Sequence, residues 1–169
     1  MHIVANADKR DGWLIGNYGN RCTLVSSASA LQLLGATSPK LVQVIEAQIH
    51  FNPNRGPSVF DYLGFFGKSA LDRGIEAAAL EGGIKVRSQT RLFLSWAKVR
   101  KSLSSGSLVV LNCLRAPGGT WNHSVLAIGY DRKPDRFISV DPNNGVVSVK
   151  RRWNPFSGAI ATVTIITPC

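Results

Sequence analysis

The stretch NYGNRCTLVSSASALQLLG, residues 17–35, decides how the rest of the chain is read. From Cys22 to Leu34 the apolar residues Leu24, Val25, Ala28, Leu31 and Leu34 keep helical spacing, and Gly35 follows where a C-cap belongs. The spacing predicts a helix that begins at the cysteine. Unpaired backbone N–H groups and the positive end of the helix dipole then face Cys22, which lowers a thiol's pKa and favours the nucleophilic thiolate. The competing reading is a small, inert core cysteine.

A nucleophilic thiol needs a base. His123 opens the strand-like run HSVLAIGYD after a glycine-containing loop, a setting that holds the ring while leaving its tip accessible. His2 is terminal and His50 sits at a helix end, so neither has such a setting. Asp141 closes the next strand, in FISVDPNNG, where a carboxylate could fix the histidine's tautomer and stabilise the imidazolium. Asp-Pro and Asn-Asn-Gly also form turns on their own account, so Asp141 has a plain turn reading beside the functional one.

Strand parity tests that choice. A regular hairpin closing Asp131 on Arg136 puts Asp141 opposite Leu126, on the other sheet face from His123. A functional Asp141 therefore requires a bulge or a loop of different length. For a developing oxyanion, Cys22 offers its own backbone N–H, and Asn17 or Asn20 a side-chain amide. Asn17 is preferred, because a loop of five residues can fold its side chain back across the thiol, although both also read as plain loop asparagines in GNYGN. Trp121, two residues before His123, is expected to flank the site, with Asn20 in the cleft.

Ser38 and Pro39 announce a second helix running through Leu41, Val44, Ile45 and Ile49, and a third is expected near Lys68 to Glu81, ended by Gly82 and Gly83. IKVRSQ reads as a strand, SWAKVRKSLSSG as a helix capped by Ser95, and SLVVLNCL as a buried strand with Cys113 as a core residue. HSVLAIGYD, RFISVDP, VVSVKRR and AIATVTII follow with short connections suited to an antiparallel meander. Helices first and strands after is the order of an α+β fold, with N-terminal helices packed on a C-terminal antiparallel sheet.

At 169 residues with 44% hydrophobic composition, the chain supports one core, and a single domain over residues 1–169 is expected. No apolar run approaches the roughly 20 residues that cross a bilayer, and the N-terminus lacks the apolar core of a secretory signal peptide. A soluble protein follows, exported or injected, if at all, by a route independent of a signal peptide. Three cysteines without C-x-x-C spacing suggest neither a disulfide framework nor zinc, and no metal or organic cofactor is implied. Twenty Lys and Arg against ten Asp and Glu give a net charge of +10, which speeds encounter with acidic partners. No motif places a recognition helix in a nucleic-acid groove, so no specific nucleic-acid partner is expected.

These pieces, in this order, resemble the papain-like cysteine peptidase fold. NRCTLVSSASALQLLG is similar to the CGPTSLAMVLNYLG type of run in bacteriocin-processing peptidase domains, and HSVLAIGYD…FISVDPNNG to their HYVVVIGYD…YVNDP run. The YopT and AvrPphB effector protease family shares a DPN-x-G run after the histidine strand and an asparagine five before the cysteine, here DPNNG and Asn17. The resemblance implies Cys22 as nucleophile, His123 as general base, Asp141 as orienter and Asn17 as oxyanion donor. Cys-Thr-Leu departs from the usual Cys-Gly or Cys-Trp, and asparagine stands where the processing peptidases use glutamine.

The activity implied is hydrolysis of protein amide bonds by a monomeric effector or toxin domain, acting on a protein substrate, with an immunity or host target protein as a further partner. Glutamine deamidation or acyl transfer on the same triad is the alternative enzyme reading. A catalytically silent basic binding module is the rival from another class.

Overall fold

A computed structural model of the chain describes residues 1–64, 67–92, 95–114, 122–131, 136–143, 146–151 and 159–169. The helix expected from the opening stretch is present as α1 (Cys22–Leu33) and is buried along almost its whole length, with Leu24, Val25, Ala28, Leu31 and Leu33 fully inaccessible. A helix apolar on every side belongs in the middle of a fold. It ends in a Schellman motif: Gly35 takes φ +108° and donates to Gln32 O, and Ala36 N donates to Leu31 O.

Helix α2 is shorter than its sequence suggests, Leu41–Glu46. Ser38 Oγ accepts from Lys40 N in a local turn, so the helix starts beyond Pro39, and i→i+3 bonds from Gln48 and Ile49 tighten its end. Helix α3 (Ala70–Glu81) is capped by Ser69, which accepts from Asp72 N, and α4 (Trp96–Ser104) by the expected Ser95, which accepts from Lys98 N.

Strands β1 (His2–Ile3), β4 (Val86–Leu92), β5 (Leu108–Leu114), β6 (Asn122–Asp131), β7 (Arg136–Asp141), β8 (Val146–Arg151) and β9 (Ala159–Pro168) form one antiparallel sheet. Between α2 and α3 lie the short β2 (Phe51–Asn52) and β3 (Gly56–Pro57), paired with each other, and a 3₁₀ turn at Val59–Tyr62.

The meander expected for the last four strands holds for β6, β7 and β8 and fails for β9. The sheet order is β4-β9-β5-β6-β7-β8, so the last strand returns to the middle. Thr162, Val163, Thr164 and Ile166 are buried on alternating faces, and a strand buried on both sides belongs inside a sheet. Short connections alone could not show this.

The irregularity demanded by parity is present. From the hairpin end, Asp131 pairs with Arg136, Tyr130 with Phe137 and Gly129 with Ile138; then one extra residue, Ile128, enters β6, and Ala127 pairs with Ser139 and Leu126 with Val140. The shift carries Asp141 opposite Val125 and onto the face of His123. Beyond the bulge, β1 runs beside β6, pairing Ile3 with Gly129. A Cβ at residue 129 would collide with the His2 carbonyl oxygen. Gly129→Ala is expected to displace β1 and cost about 1–3 kcal/mol, the usual range for overpacking, measured as a lower urea midpoint; an unchanged midpoint contradicts this packing.

Candidate active site

The chain enters α1 through two residues in left-handed conformation, Gly19 at φ +55° and Asn20 at φ +57°. Arg21 stands at the N-cap without a side-chain cap hydrogen bond. Its guanidinium instead grips Glu46, Nε to Oε2 at 2.6 Å and Nη2 to Oε1 at 3.0 Å, and lies over the rings of Tyr18 and Phe51. Asn20 turns its amide to Pro53 O at 2.8 Å. The two residues before Cys22 are thus fastened to α2 and the β2–β3 turn, Asn20 by this anchoring contact.

Cys22 is 5% exposed. Burial pushes its thiol up, but a hydrogen bond with His123, main-chain hydrogen bonds at Ser124 and Thr23 and the charge of His123 pull it, on balance, below the ordinary thiol value. His123, second residue of β6, is held above its ordinary value first by the bond to Cys22, then by the hydrogen bond and charge of Asp141, against partial burial. Its Nε2 lies 3.0 Å from Asp141 Oδ2, leaving Nδ1 for the thiol. The opposed shifts favour thiolate and imidazolium together.

Asp141 makes a separate contact with each carboxylate oxygen. Oδ2 meets the imidazole, while Oδ1 accepts from Asn143 N at 3.0 Å and closes the turn. The same turn captures Asn17: its backbone N donates to Pro142 O at 2.8 Å, and its Nδ2 donates to Asn143 Oδ1. Asn17 Oδ1 is buried without a partner among the described residues. The loop before the thiol and the turn after Asp141 therefore meet.

Trp121 lies outside the described residues, as does the side chain of Cys113. His2 Nε2 contacts Leu103 O at 2.8 Å and His50 Nδ1 contacts Asp61 Oδ1 at 3.1 Å, both apart from Cys22 as their sequence settings indicated. Sequence reasoning missed Asn143, hidden in a plain turn signal, and the hydroxyls of Thr23 and Ser124, the residues that follow Cys22 and His123, which bond each other at 2.7 Å. The unusual Cys-Thr pair was the available signal for the second. No cluster of three or more His, Cys, Asp or Glu able to hold a metal occurs among the described residues. No helix there is long and apolar enough to cross a membrane.

Residues 8–162 match the family model described as Peptidase_C39 like family. The chain belongs to that family. Membership supports a cysteine peptidase, and solved structures carry the papain-like fold. The peptidase domain of Streptococcus ComA, a bifunctional ABC transporter involved in a quorum-sensing pathway, superposes with a TM-score of 0.57 at 15% identity, over 92% of this chain and 98% of that one. A protein described as a C39-like peptidase from Bacillus anthracis gives 0.59 at 17%, over 97% and 96%. A search of curated proteins gave no match. The likeness to YopT and AvrPphB rests on the motifs alone.

Since the bond to Cys22 is the largest influence raising His123, Cys22→Ser is expected to lower the histidine's titration midpoint more than Asp141→Asn does, with both variants moving it toward the ordinary value of about 6.5. NMR of the His123 ring protons against pH measures this. The reverse order, or an unmoved midpoint, contradicts the geometry.

Proposed function

We propose that the protein is a thiol peptidase in which Cys22 is the nucleophile, His123 the acid and base, and Asp141 the orienting carboxylate. The observation that carries this reading is the hydrogen-bonded series Cys22–His123–Asp141, joining a helix start to two neighbouring strands, with thiol and imidazole shifted in opposite directions. The Cys22 thiolate attacks the carbonyl carbon of a peptide bond and forms a tetrahedral oxyanion. On collapse the C–N bond breaks and the His123 imidazolium gives its proton to the leaving amine. A water molecule, losing a proton to His123, then attacks the thioester; the C–S bond breaks, releasing a carboxylic acid and the thiolate.

Asn17 and the Cys22 backbone N–H are the oxyanion donors in this reading. An amide donor placed at the oxyanion acts on charge as it develops, and its loss costs about 10²–10³ in kcat. What supports an effector or toxin setting is the +10 charge together with the DPNNG likeness.

A library of proteome-derived peptides, analysed by mass spectrometry for new N-termini and for glutamine-to-glutamate conversion, tests the reading. Cleavage is expected, lost by roughly four orders of magnitude or more in Cys22→Ala and reduced in Asn17→Ala. The rate rises with pH as Cys22 ionises below the usual thiol range and falls as His123 loses its proton above its ordinary value. Deamidation without cleavage, or cleavage that survives Cys22→Ala, contradicts it.

A further inference from the structure

The geometry points to Thr23 and Ser124 as a positioning pair, in which a hydroxyl bond of fixed polarity, anchored through a buried hydrogen-bond chain at Asp72, holds the candidate thiol against the candidate imidazole. The inference rests on the Cys22–His123 reading and extends it to the side-chain hydroxyls of two residues whose main chain hydrogen-bonds the thiol.

Thr23 follows Cys22 at the start of α1, and Ser124 follows His123 on β6. Their exposures are 0% and 1%, and their hydroxyl oxygens lie 2.7 Å apart. Two further contacts tie the same elements: Ser26 Oγ donates to Ser124 O at 3.4 Å, and the main chain of Ser124 hydrogen-bonds the Cys22 sulfur.

The polarity of the hydroxyl bond can be derived from the other side of the sheet. Asp72, near the start of α3, receives Ser88 Oγ and Thr90 Oγ1 on Oδ1, and Ser69 Oγ and Thr90 N on Oδ2. A hydroxyl has one hydrogen. Thr90 gives its hydrogen to Asp72, so in the 3.0 Å contact with Thr164 the donor is Thr164. Thr164 must then accept from Asn112 Nδ2 at 3.2 Å, which points Asn112 Oδ1 at Ser124.

Ser124 therefore donates to Asn112 at 2.8 Å, Thr23 donates to Ser124, and Tyr62 donates to Thr23 at 2.8 Å. Burial pushes the Tyr62 phenol far up, which keeps that last proton in place. The series crosses β4, β9, β5 and β6 in their sheet order and ends behind the thiol. Every member has a single allowed direction, and breaking the series strands a buried donor or acceptor. Such a bond fixes separation and orientation where an apolar contact would let α1 slide on β6.

The test reads the pH dependence of Cys22 alkylation by iodoacetamide on the full chain, by peptide mass spectrometry, in wild type, Thr23→Val, Thr23→Ser, Ser124→Ala and His123→Ala. Thr23→Val keeps the shape and removes the hydroxyl; Thr23→Ser keeps the hydroxyl. The expected result is a midpoint about one unit higher in Thr23→Val and Ser124→Ala, about tenfold less thiolate at a given acidic pH, with Thr23→Ser matching wild type. Folding is checked by circular dichroism. A bond that merely stabilises the fold lowers the melting temperature and leaves the profile in place, which overturns the proposal. Failure of both Thr23→Val and Ser124→Ala to fold also overturns it. A wild-type profile insensitive to His123→Ala defeats the thiol–imidazole reading itself, whereas sensitivity to His123→Ala alone defeats only the pair.

Discussion

The site depends on one packing relation: the start of α1 against the start of β6, residues about one hundred apart in sequence. A buried thiolate is unfavourable unless a cation and hydrogen-bond donors stand beside it at fixed distance. Here the helix start supplies main-chain donors, β6 supplies the imidazole, and burial of α1 on nearly all sides leaves the helix little room to shift. The rest of the fold sets that relation. Glu46 and Pro53 fasten the residues before Cys22, the Ile128 bulge turns Asp141 toward His123, and the turn at residues 141–143 brings the Asn17 loop back to the site.

Electrostatics decides the state of the pair. Burial alone would raise the thiol and lower the imidazole; the hydrogen bond and charge that each supplies to the other turn both shifts the opposite way. Asp141 adds to this from one oxygen while closing a turn with the other, so the carboxylate that stabilises the imidazolium is itself held by the backbone. A polar series through the centre of the sheet is costly unless each member is satisfied. Among the described members from Tyr62 to Asp72 each has its partner, and this buried set follows cross-strand register across Ser124–Asn112, Asn112–Thr162 and Thr164–Thr90.

Much of this was legible in the sequence where local periodicity carries the information. The run from Leu24 to Leu34 read as a buried helix, and Gly35 marked its end. Parity alone required an irregularity between His123 and Asp141, and the extra residue at Ile128 supplies it. What escaped was non-local. The insertion of β9 between β4 and β5 leaves no trace in connection lengths. Thr90, Asn112, Ser124 and Thr164 look like scattered polar residues until register places them side by side. Asn143 read as a turn former because its partner, Asn17, is 126 residues away.

The central claim is that Cys22 exists as a thiolate because of His123. Ultraviolet absorbance of the thiolate against pH, taken as the difference between wild type and Cys22→Ser and repeated in the His123→Ala background, measures that directly. The account predicts a transition well below the ordinary thiol value of about 8.5 that moves upward when His123 is removed. A transition at or above that value in both backgrounds would make Cys22 a core cysteine and contradict the account.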